Sequence, residues 1–540
     1  MSRASFWLIA AVLFVATSVT HLWMIGSAPT GFFNDECANA YNAYCILETG
    51  ADEYGTSYPL FFRCMDDYRD SVLIYSIVPA VKLLGLTKTA ARLPNALYFI
   101  AASIAFVFLS YEYCRNKWVA LAGGTLFSFI PWTLNFSRTA VAGYAPMLLG
   151  MILGWLLLVV ALRRRCWQLA VPAGMAWAFA MYSYYVGRPM TVVLIVCFLA
   201  AFVSESIPYR RVFLTFLVSL VLSMVPMMIG VWRNPHVLTA RFHEISIFRQ
   251  VPLGLKAAMP IAASYLDYFD PRFLFWRGDP ILRHGTGAGG VLFMFLAPLV
   301  VAGFYAIARQ WRSDLRYRFL LLGLLAYPAA AVLANDHMHS GRSINGVIFW
   351  VLVAVVGIHR LLLRRRLAGQ VAVALIFLFG VGEIRRFYGD YFGAYQTRAR
   401  DAFQSQLTEP LEFCFEHLGT NDTFYISESF FELLIRKDNA LMPLVDEDFH
   451  APVYEDLLFF GKIPPRIYQR QGIPKDRVRL YDGTASRPGL LLRGTHWVAW
   501  RLGTDECLLF PNKEPLPPQA CLIKTFPSIS YTRREIYKIP

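Results

Sequence analysis

Clusters of Lys and Arg fall on every second gap between the apolar stretches of this chain: Arg115/Lys117, Arg163–Arg165, Arg210/Arg211, Arg309 to Arg318, and Arg360 to Arg366. Basic residues stay on the side where a membrane protein is assembled, so the alternation sorts the gaps into two faces. The intervening gaps are uncharged or acidic, and they carry nearly every side chain capable of chemistry. This pattern predicts a mainly α, polytopic membrane protein with its N-terminus cytoplasmic and its C-terminus external.

Composition agrees. Hydrophobic residues make up 56% of the 540 and charged residues 16%, against about 25% charged in soluble domains; mean hydropathy is +0.43. The net charge of +14 sits in short gaps between spans rather than on one soluble domain, so it reports topology and no nucleic-acid partner is expected. The first apolar run exceeds the usual signal-peptide core and lacks a small-x-small cleavage site, which favours a retained anchor. None of the nine cysteines forms a Cys-x-x-Cys. An external Cys507–Cys521 pair and unpaired apolar filler are both open readings.

Spanning a bilayer takes about 20 apolar residues. Candidate spans lie near 5–25, 93–112, 117–134, 143–162, 167–184, 188–205, 211–231, 288–308, 317–334, 343–360 and 367–384, about eleven in all. The apolar stretch 71–86 is short, with Pro79 in its middle and Lys82 near its end. Counting it as a span would move every basic cluster outside, so it is expected to lie along the membrane surface. Residues 1–390 then form the membrane domain, with a long acidic first external loop at 26–70 and another long loop at 232–287. From about residue 400, alternating runs such as 422–427 and 497–502 predict strands of a small external α/β domain, 400–540.

The external gaps hold a distinctive ordered set. Asp35-Glu36 follows the first span, then come Thr49-Gly50-Ala51-Asp52-Glu53-Tyr54-Gly55, Asp67-Tyr68-Arg69 and Arg92-Leu93-Pro94. Further on stand Ser137-Arg138, Tyr184-Tyr185-Val186-Gly187-Arg188, Phe273 to Asp279, Arg283-His284 and His339-Ser340-Gly341-Arg342. A surface carboxylate can act as general base on an acceptor. Arginines suit bidentate phosphate contacts, although each taken singly is equally a snorkelling residue at a helix end.

In this order the motifs resemble the protein O-mannosyltransferase superfamily, including bacterial family 39 glycosyltransferases and the aminoarabinose transferase of lipid A, all of GT-C type. The likeness covers about 1–390, with Met338 where proline is usual and Asp67-Tyr68-Arg69 where some members carry a lysine before Pro-Pro. It implies transfer of a sugar from a polyprenyl-phosphate donor to a protein, lipid or envelope-glycan acceptor on the external face of a bacterial cytoplasmic membrane. Asp35 would be the base in an inverting reaction, supported by Glu36. Arg69, Arg138, Arg188, Arg277, His339 and Arg342 would bind donor phosphate, with Glu53, Asp67, Arg92 and Asp279 in support. A divalent metal is a further expectation, with Glu36, Asp67 and His339 as candidate ligands and His284 and His337 also considered. Tyr54, Tyr58 and Trp276 are candidate sugar platforms. A lipid-linked-sugar transporter or flippase with an external binding domain is the alternative, and a non-enzymatic scaffold a third reading. The charges gather outside rather than at helix centres, which favours surface chemistry over transport.

Overall fold

The computed structural model describes residues 3–64, 67–202, 209–249, 254–336, 338–363, 367–419, 422–427, 444–446, 449–450, 453–481, 485, 487–500, 507–510, 516–517, 519–526 and 533–539. His337, residues 501–502 and the Cys507 side chain lie outside that description. The chain forms two compact units: Met1–Pro29, Leu60–Leu83 and Lys88–Ala399 make one, and Thr30–Pro59, Leu84–Thr87 and Arg400–Pro540 the other. Compactness therefore divides the chain differently from a single cut between 390 and 400. Residues 30–59 of the first external gap fold with the C-terminal region.

In the first unit, seven described helices are long and apolar enough to cross a membrane: Ala4–Leu22, Lys88–Cys114, Tyr144–Arg164, Arg210–Arg233, Leu315–Leu333, Gly346–Leu363 and Leu367–Tyr391. Lys117–Phe129 and Pro131–Arg138 meet at 60° and make an eighth if counted as one bent span. Pro131 causes the bend: it removes an N–H and drives the preceding Ile130 to ψ 142, out of the helical region. The other three predicted segments are also helical, as Ala170–Ser183, Gly187–Phe202 and Ala297–Gln310. At 1.5 Å per residue they reach roughly 21–24 Å, less than a hydrocarbon core of about 30 Å. The segment Ser71–Leu84 has 14 residues, again too short to span.

Glycines let two of these helices cross closely. A Cβ on Gly303 would strike the Val353 carbonyl, and one on Gly357 the Leu299 carbonyl, the small-residue contact by which helices pack in lipid. Leu367–Tyr391, by contrast, leaves Leu375, Leu378 and Phe379 exposed, as a lipid-facing helix does.

The predicted loop 26–70 is ordered instead, with a helix at Asn34–Thr49 and a hairpin pairing Phe61–Cys64 with Asp67–Asp70. The predicted long loop 232–287 likewise holds helices His236–Ile245 and Leu255–Asp267. In the second unit the sheet runs in the order Val478–Tyr481, Thr423–Ser427, Gly489–Trp500, Arg533–Ile539, Cys521–Phe526, with Cys507–Phe510 also paired to Gly489–Trp500. Its first two pairings are parallel and the others antiparallel. Helices Ser405–His417, Val453–Phe460 and Pro465–Gln471 complete an α/β unit. Cys521 is a free thiol.

Candidate functional site

The acidic pair opens the helix Asn34–Thr49 in the second unit. Glu36 is fully buried, and its Oε1 accepts the Phe33 N–H at 3.3 Å, one arm of a capping box. Asp35 is half-buried in the first turn, where the helix dipole favours a carboxylate. Glu36 thus acts as a cap, and Asp35 is the member that retains surface. The glycine-containing motif that follows is also structural. Gly50 ends the helix at φ 70, and Gly55 turns at φ 84, both left-handed positions suited to glycine. Between them Asp52 Oδ1 accepts the Tyr54 and Thr56 N–H groups at 3.0 and 2.8 Å. Gln469 donates to Thr49 Oγ1 and the Asp52 carbonyl, and buried Glu53 accepts the Tyr454 hydroxyl at 3.3 Å. Beneath the helix, burial pushes the Asp456 carboxyl up to about 7, offset in part by the Cys37 thiol.

In the first unit, two of the predicted arginines clasp the end of the first span. Arg138 is fully buried and donates to the carbonyls of Thr20, Trp23 and Ala28 at 2.5, 2.6 and 3.0 Å. Arg92, equally buried, donates to Ile25 and Pro29 at 3.2 and 3.0 Å. His21 completes the clasp through Ser137 Oγ at 2.8 Å and the Ser128 carbonyl at 3.0 Å. These contacts satisfy carbonyls where the first span ends, so the Arg-Leu-Pro and Ser-Arg motifs serve here as framework. Arg69 and Asp67 are half-buried in the hairpin, and Arg277 and Trp276 are exposed.

Two other arginines are linked through Tyr185, Arg188 by way of Asp70 and Arg342 directly. Arg188 forms an ion pair with Asp70 and lies over the Phe61 ring, 5.2 Å from its centroid. Its buried Nε has no hydrogen-bond acceptor. The Tyr185 backbone N–H also bonds Asp70, while the Tyr185 hydroxyl accepts Arg342 Nε at 3.1 Å. Arg342 faces Asp336 at 2.8 Å. Asp70 is raised to about 6, chiefly by burial and further by Asp67, with Arg188 and the Tyr185 N–H pulling the other way.

Asp279, His284 and His339 place ligand-type atoms within 4.8 Å of one another, the one such group among the described residues. Asp279 Oδ2 accepts from His284 Nδ1 at 2.9 Å and from the Ser340 N–H and hydroxyl at 2.7 and 2.8 Å. Its Oδ1 takes the Ile281 N–H at 2.8 Å. Burial alone would raise this carboxyl, but the His284 bond and the two amides outweigh it and hold it low. An ionised carboxylate only accepts, so the His284 proton is on Nδ1. The Arg342 N–H occupies His339 Nδ1 at 3.2 Å. Burial, then His284, Arg342 and Arg283, push His339 well below its ordinary value, so it is neutral with its proton on Nε2. A cation needs free lone pairs, and these remain on His284 Nε2 and on Asp279 Oδ1, which accepts only the Ile281 N–H. The three residues are close enough for a divalent metal, and for all three to bind one the Arg342 N–H bond to His339 would have to give way. They fasten the 278–290 segment to 339–343, beside a narrow cleft lined by Trp132, Thr286, Gly289 and Phe387. Of the other metal candidates, Glu36 is a cap, and Asp67 takes its neighbour Tyr68 N–H at 2.7 Å.

The backbone is similar to the crystal structure of ArnT from Cupriavidus metallidurans in the apo state, with TM-score 0.54 and 13% identity over 99% of this chain and 98% of that one. The chain has the GT-C fold. It is also similar to the apo oligosaccharyltransferase of Archaeoglobus fulgidus, with TM-score 0.50 and 14% identity. That match covers 79% of this chain and spans 62% of the archaeal protein. No family model and no curated protein matches the sequence. Sequence reasoning missed Asp70, Tyr185 and Ser340 as partners. Only the adjacency of Asp70 to Asp67-Tyr68-Arg69, and of Tyr185 to Gly187-Arg188, gave a signal.

Proposed function

We propose that this protein transfers a sugar from a polyprenyl-phosphate donor to an acceptor at the external surface of a bacterial cytoplasmic membrane, with inversion at the transferred carbon. The observation that carries this reading is the linkage of Arg188, through Asp70, and of Arg342 to the one residue Tyr185, within a fold shared with ArnT. Two buried guanidinium groups on neighbouring elements suit a departing phosphate, whose developing charge is the main barrier to offset. Membrane-length helices supply the lipid contact that a polyprenyl tail requires.

In this reading Asp35 is the general base that takes the acceptor's proton, and Glu36 fixes the helix turn that presents it. Arg188 and Arg342 bind the leaving phosphate. Arg69 and Arg277 contribute charge near the donor, while Arg92, Arg138, Asp279 and His339 hold the framework. No step is routed through a metal. The test is Asp35→Asn in purified, folded protein with a defined polyprenyl-phosphate sugar. Loss of transfer by at least 100-fold with donor binding intact is expected on the roughly 10²–10⁴ contribution of a general base. Near wild-type turnover would remove Asp35 from this role. Counterflow of labelled lipid-linked sugar without a covalent product would favour the transporter reading.

A further inference from the structure

Each of the two arginines assigned to the leaving phosphate already has a carboxylate against it. Arg188 bonds Asp70, with both side chains mostly buried. Arg342 is nearly fully buried, and it meets Asp336, whose side chain remains 45% exposed. The carboxylates reach their arginines from different parts of the chain, Asp70 from the hairpin strand and Asp336 from the turn before the helix Gly346–Leu363. Tyr185 ties the two pairs together, its backbone amide on Asp70 and its hydroxyl on Arg342.

Neither pairing saturates the guanidinium. Arg188 keeps a buried Nε–H without an acceptor, an arrangement that costs desolvation free energy while it lasts. Arg342 Nη1 lies at ion-pair distance from Asp336 but makes no aligned hydrogen bond to it. Buried cations left wholly unpaired are strongly destabilising, so a site meant to receive an anion needs some resident charge while empty. That resident must also be displaceable, and a single-point carboxylate contact meets this requirement better than a bidentate one.

We propose that Asp70 and Asp336 are resident counter-ions, each occupying an arginine of the leaving-phosphate site until the phosphate monoester of a polyprenyl lipid displaces it. This inference rests on the donor reading above. It adds a selection rule, because a ligand must carry enough negative charge and enough acceptor oxygens to outcompete two carboxylates. A phosphate monoester does, and the neutral alcohol of the same chain does not. Asp70 and Asp336 are thus positioning residues whose removal strengthens anion binding, opposite to the effect of losing a structural ion pair.

The experiment is titration of the full-length protein in detergent with farnesyl phosphate, with farnesol as the uncharged control. Asp70→Asn and Asp336→Asn are each expected to tighten farnesyl phosphate on the order of tenfold, or about 1.4 kcal/mol, and to leave farnesol unchanged. The gain from Asp70→Asn should vanish when Arg188→Gln is added. Asp336→Asn, at a half-exposed side chain, keeps the test available if Asp70→Asn fails to fold. Unchanged or weaker farnesyl phosphate binding in the folded variants overturns the inference alone. If the wild-type protein binds farnesol as well as farnesyl phosphate, the donor-phosphate reading falls and takes this inference with it.

Discussion

Replacing Asp279 with Asn should unfasten the 278–290 segment locally, and the size of the effect follows from counting donors. Four N–H or O–H groups point at this carboxylate: Ile281 N on Oδ1, and His284 Nδ1, Ser340 N and Ser340 Oγ on Oδ2. Asparagine offers one oxygen and one NH₂. With its oxygen toward Ser340, the NH₂ confronts the Ile281 N–H; with the amide turned over, it confronts the Ser340 N–H. The His284 ring can change tautomer and the Ser340 hydroxyl can rotate, but a backbone amide can do neither. One buried donor is therefore orphaned in either orientation, at about 1–3 kcal/mol, and the surviving bonds lose their charge assistance. A total near 3 kcal/mol corresponds to roughly 150-fold faster opening. Amide hydrogen exchange of the detergent-solubilised protein, followed at Ile281 and Ser340, reads that opening directly. Exchange at both amides within about threefold of wild type would refute the donor count, and with it the view of this cluster as a lock.

Other outcomes follow from the same geometry. Arg138→Leu strips the donor from three carbonyls at the end of the first span and should lower stability by roughly 3–5 kcal/mol, as for breaking a buried charged network; thermal unfolding of the purified variant measures it. Asp456 is held near 7, against about 4 when unfolded, so its contribution is fully present below pH 4 and is lost as pH rises through 7. Asp456→Asn should therefore stabilise the second unit at pH 8, on the order of 4 kcal/mol, and change little at pH 4; an equal shift at both values would contradict the assignment. In intact cells, a cysteine at exposed Trp276 should react with an impermeant maleimide, and one at Arg312 only after permeabilisation, with Cys166 and Cys521 replaced by Ser beforehand. Both sites reacting without permeabilisation would overturn the sidedness drawn from the basic clusters.

The membrane architecture was legible because its signals are long and local. Runs of about 20 apolar residues and alternating Arg-rich gaps survive in one dimension, and the strands near 423 and 497 showed their two-residue alternation. The helix Asn34–Thr49 was invisible for the opposite reason. Its buried positions include Ala38, Asn39, Ala40, Asn42, Ala43 and Cys45, a face with no aliphatic stripe to register a period of 3.6. Arg92 and Arg138 look identical in sequence to Arg188, yet only contacts 63 to 118 positions apart distinguish a clasp on backbone carbonyls from the ion pair with Asp70. Asp70 reads in sequence as one more acid of the first external loop, because its partner lies 118 positions away.

The C-terminal region and residues 30–59 are one folding body although some 340 residues separate them. Phe32 packs against Phe459, the Tyr41 hydroxyl donates to the Ile463 carbonyl, and Gln469 holds the turn after Thr49. A truncation at 399 would leave Asp35 on a helix stripped of its hydrophobic support. A chimera that grafts only the tail of a relative would join mismatched halves. Exchange of the C-terminal region between chains of this fold has to transplant both segments together.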